Sequence, residues 1–186
     1  GAKGSVHAAP GGVRAGAEGP SIGVGASFAL NVLLADTVAE VRDGTVLSGN
    51  TGHFLVSADT TSAALTTAEN GATSSGGTAV GGAIALAVVE NTTRAHVGSG
   101  SGAVILSRDL GAGADLDRMV LTTGSGTPAG KGAGVGVSIA LNIVIDDTTA
   151  ELARGFSGAT DVDVAATSVH VVRAEARASA SGASKT

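Results

Sequence analysis

The chain has no cysteine, tryptophan or tyrosine, and only three phenylalanines, three prolines and one methionine. Without cysteine there is no disulfide framework and no thiolate metal site, which also fits a secreted bacterial chain. With so few aromatics, a core must be packed from Val, Ile, Leu and Ala. So little proline, with no glycine at every third place, excludes a collagen-like rod. The least polar run, Gly132–Ile145, is too short to span a bilayer and carries Ser138 and Asn142, so the sequence predicts a soluble chain. No basic run interleaves with aromatics and the net charge is -5, which argues against a nucleic-acid partner. The opening "GAKGSVHAAPGG" has no apolar signal core and reads as the middle of something longer or a processed end.

What is present is glycine, 30 of 186 residues and about twice the usual share, together with a repeat. "GVGASFALNVLLADTVAEV" (23–41) returns as "GVGVSIALNIVIDDTTAEL" (134–152), with "VGGAIALAVVENTTRAHVG" (80–98) between them. Leu30, Leu86 and Leu141 mark a period of about 55 residues. Gly/Ser/Thr-rich links divide the chain into a preceding tail or linker (1–22) and three repeats, 23–78, 79–133 and 134–186.

Each repeat opens on strict alternation. Val24, Ala26, Phe28, Leu30, Val32 and Leu34 share one face; Gly23, Gly25, Ser27, Ala29 and Asn31 share the other. Gly134, Gly136, Ser138, Ala140 and Asn142 repeat the small face. Period 2 over a dozen residues predicts strands. In the second half of the last repeat, Ala174, Ala176, Ala178 and Ala180 alternate with Arg173, Glu175, Arg177 and Ser179. The bulky face is therefore expected to pack on this alanine face, large against small. The small Gly/Ser/Ala/Asn face is then either solvated or an assembly face where another sheet or subunit lies close. The expected fold is all-β, a repetitive β-solenoid (parallel β-helix). The alternative is a set of antiparallel β-sandwich repeats, in which "ENTT" and "DDTT" are turns.

The "GVGVSIALNIVIDDTTAEL" run, its Gly-rich step and the "VDVAATS" strand with alternating Ala resemble the repeats of giant bacterial surface and secreted adhesins of the filamentous-haemagglutinin-like, autotransporter-passenger and leukotoxin types. The resemblance covers nearly all of residues 23–186. It implies an extracellular, non-enzymatic stalk, filament or adhesive module. Its partners would be flanking repeats or further copies stacked end to end through sheet edges, or a glycan or host surface. A polysaccharide-active β-helix enzyme is the remaining alternative.

Other motifs predict little chemistry. "GPSIG" (19–23) has a strand after Ser21 where a nucleophile elbow needs a helix. "GTPAGKG" (126–132) lacks the spacing of a phosphate loop. His7, His53, His96 and His170 have no ligand spacing. The pairs Asp115/Asp117, Asp146/Asp147 and Asp161/Asp163 read as carboxylates at strand ends or links, with incidental calcium at Asp146/Asp147 as an option. Thr60/Thr61, Thr66/Thr67, Thr92/Thr93, Thr122/Thr123 and Thr148/Thr149 are adjacent, so the members of each pair face opposite ways and build no ice-binding ladder. Asn91-Thr92-Thr93 matches a glycosylation sequon but reads as a step between strands. No catalytic residue, cofactor or metal is expected.

Overall fold

The computed structural model describes residues 2–182, with the side chains of 5–14 outside the described set. Among the described residues the chain is strand and turn, without helix. The strands are β1 (Ala2–Gly19), β2 (Ile22–Val41), β3 (Gly49–Thr51), β4 (Phe54–Ser74), β5 (Thr78–Val97), β6 (Val104–Leu106), β7 (Leu110–Gly126), β8 (Ala129–Gly130), β9 (Ala133–Leu152) and β10 (Val162–Ala178). One sheet runs β1-β4-β7-β10, with β8 beside β4; a second runs β2-β5-β9; β3 and β6 form a small third.

Every ladder is parallel, which makes the fold compatible with a β-helix. The antiparallel sandwich reading is thereby corrected. "ENTT" and "DDTT" are not turns but lie inside β5 and β9. The register follows the sequence repeat, with Leu30 beside Leu86 and Leu86 beside Leu141. One irregularity breaks it, between Ala8 and Gly11 of the edge strand β1. Pro10 sits in that gap, where its missing amide costs no central ladder bond.

The chain crosses from one long sheet to the other through tight turns. Pro20–Ser21 joins β1 to β2, and Ser75–Gly77 joins β4 to β5. These turns stack as well: Ser75 N donates to Gly19 O at 3.2 Å and Thr78 N to Ser21 O at 3.0 Å. A Cβ on Gly77 would run into the Ser21 carbonyl, so the close approach of one turn to the next needs glycine there.

Which face of the alternation points inward is the reverse of the expectation. Ser27, Ala29, Ala83 and Ala85 are buried, while Val24, Phe28, Leu30, Val32 and Leu34 are exposed. Small packs on small because the sheets lie too close for anything larger. A Cβ on Gly124 would come within 2.7 Å of Ile139 O on the opposite sheet, and one on Gly81 within 2.7 Å of Asn70 Oδ1. The alanine face of the second half does point inward as read; Ala174, Ala176 and Ala178 pair with Thr122, Gly124 and Gly126 on β7.

Past the Gly/Ser/Ala end next to the tight turn, larger inward residues gather at two levels. Leu33, Val89 and Val120 form a mid-strand cluster. At the far end Val104, Leu106 and Leu110 pack with Leu47, Phe54, Leu152 and Phe156, and the two Phe rings lie 5.0 Å apart. Between these levels Ala39, Ala58, Ala95 and Ala114 keep the interior small. Each fully buried Val or Leu contributes about 1.5–3 kcal/mol.

Candidate functional site

The small residues singled out in the sequence line the gap between the long sheets. Asn31 Nδ2 donates to Leu65 O at 3.3 Å, and Asn142 Nδ2 donates to Arg173 O at 3.0 Å. Gly23, Gly25, Ser27, Ala29 and Asn31 in β2, and Gly134, Gly136, Ser138, Ala140 and Asn142 in β9, therefore meet the opposite sheet of their own chain. The face left open on this sheet is the aliphatic one.

Between the sheets lies a polar cluster that the sequence reading missed. Arg118 on β7 is 4% exposed, and its Nη2 lies 2.7 Å from Asp146 Oδ2 on β9. Asn91 on β5 donates Nδ2 to Asp146 Oδ1 at 2.8 Å. His170 on β10 places Nδ1 3.6 Å from Asp146 Oδ2. The stacking explains the convergence: Asn91 and Asp146 are register partners in one sheet, as are Arg118 and His170 in the other. A charge inside such a gap persists only when paired. Parity could have found it, since Arg118 shares its face of the strand with Leu116 and Val120, both inward.

The remaining candidates are spread along the fold. Asp115 and Asp117 lie mid-strand on the exposed face of β7, not at a strand end or link. Asp146 and Asp147 lie within β9 and face opposite ways, Asp146 toward Arg118, so the pair cannot share one calcium ion. Asn91-Thr92-Thr93 is likewise inside β5 rather than a step. Thr93 Oγ1 donates to Thr60 Oγ1 at 2.7 Å across the gap. Ser21 of "GPSIG" belongs to the turn before β2, and Lys131 of "GTPAGKG" to the turn before β9, where its amide donates to Ser74 O. His96 Nδ1 lies 3.2 Å from Glu151 Oε2. The His7 side chain falls outside the described residues. Among the described residues no three His, Asp or Glu side chains are grouped to hold a metal.

At the wide end, His53, Asp109, Asp161 and Asp163 border a shallow cleft with Phe54 and Leu110. Two of the carboxylates are engaged locally. Asp109 faces His53 Nδ1 at 3.2 Å and accepts from Thr160 Oγ1 at 3.2 Å; Asp161 accepts from Val162 N at 2.9 Å. Arg154 ties successive loops together. Its Nε donates to Gly98 O at 2.8 Å, Nη1 to Thr45 O at 3.0 Å and Nη2 to Ser99 O at 3.3 Å.

The stack ends on β1 and β2 at one side and on β10 and β9 at the other. Each outer strand presents unpaired backbone amides and carbonyls along its length. The turns continue in the same way: Gly130 N donates to Ser181 O at 3.1 Å, and Ala129 bridges Ser181.

These features define an all-β protein of parallel, register-matched sheets. No protein-family model, curated protein or solved structure matches the chain.

Proposed function

We propose that the chain is a structural module of an extracellular bacterial stalk, filament or adhesin, built as a β-solenoid and stacked end to end through its sheet edges. The observation that carries this reading is the pair of open rungs at the two ends of an in-register parallel stack. A further coil, from the same chain or another copy, extends both long sheets without changing the interior. It also covers Asp146 and His170, which are 14% and 37% exposed beside the buried Arg118. The likeness of "GVGVSIALNIVIDDTTAEL" to adhesin repeats supports the same reading, and with it an extracellular setting.

The test is electron microscopy beside size-exclusion chromatography over a concentration series. Filaments of uniform width, growing with concentration, are expected. Discrete particles that never grow would overturn the stacking role. A second reading, a glycan- or surface-binding module, draws on the cleft bordered by His53, Asp109, Asp161 and Asp163. Binding on a glycan array, lost in an Asp161→Ala/Asp163→Ala variant, would favour it; hydrolysis of a bound polysaccharide lost in the same variant would favour an enzyme.

A further inference from the structure

The two long sheets have unlike outer faces. On the sheet of β4, β7 and β10 the outward residues include Asp59, Asp115, Asp117, Arg173 and Glu175. On the sheet of β2, β5 and β9, Phe28, Leu30, Ile84, Ile139 and Leu141 stand outward in aligned columns. Phe28 is 56% exposed. Branched and aromatic side chains in register form a flat apolar face that water solvates poorly.

We propose that this face docks on the same face of a second copy of the chain, back to back, with the strands of the two copies antiparallel. The size fits. The block from Ile22 to Leu34 across three strands, apolar but for Thr78 and Glu90 on β5, measures about 40 by 14 Å. Two copies would bury about 1,100 Å² between them, which clears the roughly 1,000 Å² a specific interface needs. Further coils enlarge it in proportion.

Charge selects the orientation. Past the apolar block the same face turns acidic, with Asp36 and Glu40 on β2 and Asp147 and Glu151 on β9, against Arg94 on β5. Parallel overlay would set these carboxylates against each other. Antiparallel overlay centred on Phe28, Ile84 and Ile139 covers apolar with apolar, sets Glu90 against Thr78 of the second copy, and leaves Asp36, Glu40, Asp147 and Glu151 at opposite sides, in water. The dyad then runs along the stacking direction, so both copies can extend the same way. A lipid surface fits less well, because the face has no Trp or Tyr belt and adjoins acidic rather than basic residues.

The cysteine-free chain gives a clean test. Sedimentation at concentrations below filament growth should show a dimer, and a Leu30→Lys/Leu141→Lys variant should shift to monomer with its circular dichroism unchanged, since both side chains point outward. A short bismaleimide should cross-link Ile84→Cys, near the dyad, at least tenfold better than Glu90→Cys, which lies off it. The single-cysteine variants keep the test alive should the double-lysine variant misfold. Four results would overturn the proposal: a monomer at all concentrations; a dimer that survives the two lysines; equal cross-linking at both cysteines; or a monomer that floats with phosphatidylcholine vesicles. Failure of the face and failure of stacking are separable. A dimer that never grows supports the face alone, whereas filaments of equal width from the wild type and the double-lysine variant support stacking alone.

Discussion

Removing Asp146 is the sharpest perturbation of the interior. Asp146→Ala leaves the Arg118 guanidinium buried at 4% exposure with its one anionic partner within 3 Å gone. Its Nε and Nη1 already make no hydrogen bond among the described residues, so nothing nearby takes over the charge. Breaking a buried pair in this way costs about 3–5 kcal/mol. The lower end applies here, because Asp146 sits on the last rung and is 14% exposed. Replacing both partners, Arg118→Met with Asp146→Leu, removes the desolvation penalty along with the attraction and is neutral or stabilising by about 1–4 kcal/mol. Urea denaturation followed by circular dichroism measures the cycle. With a slope of about 1–3 kcal/mol per molar, the single variant should lower the midpoint by at least 1 M. A single variant within about 0.5 kcal/mol of wild type, or a double variant worse than either single, would refute the reasoning.

Three further outcomes follow from the geometry. Ala85→Leu, at a position with no exposure packed against Ala29, Ala68 and Ala83, should cost about 1–3 kcal/mol by overpacking, while Leu30→Ser on the outer face should change monomer stability by less than about 0.5 kcal/mol; denaturation midpoints compare them. Arg154→Ala removes three charge-assisted bonds to loop carbonyls and should cost about 2–3 kcal/mol, with Arg154→Lys recovering little because an ammonium lacks the planar fork; hydrogen exchange at Ser99 should rise in both. Asp43 accepts from Ser99 Oγ at 2.8 Å and Ser99 N at 2.7 Å, and these bonds hold its carboxyl below the usual range. A lowered folded value means that its stabilisation is complete above the ordinary carboxylate range and is lost as pH falls through the lowered value, so the stability gap between wild type and Asp43→Asn should shrink on acidification.

Periodicity carried much of the fold. Leu30, Leu86 and Leu141 were readable as equivalent, and they stack. Alternation grouped the residues of each face correctly, but it says only which residues share a face, not which face turns inward. Hydrophobicity alone sends Phe28 and Leu30 to the core; the short turns and the glycines at 81 and 124 bring the sheets too close to admit them. The "ENTT" run looks like a turn because Asn and Thr favour turns. It stays in β5 because Asn91 finds Asp146 on the next strand of its own sheet and Thr93 finds Thr60 across the gap. Arg118 was hidden in the most diverged half-repeat, and its partners are distant in sequence. The short corner strands β3 and β6 carry too few residues for any period to show.

The central claim is that strands lie across the axis of an end-to-end stack. X-ray fibre diffraction from aligned, concentrated chain tests it most directly. The account predicts a meridional reflection at about 4.8 Å, the spacing between strands, from filaments whose axis runs along the stack. Filaments with that reflection on the equator, or a preparation that orders no filaments at all, would contradict it.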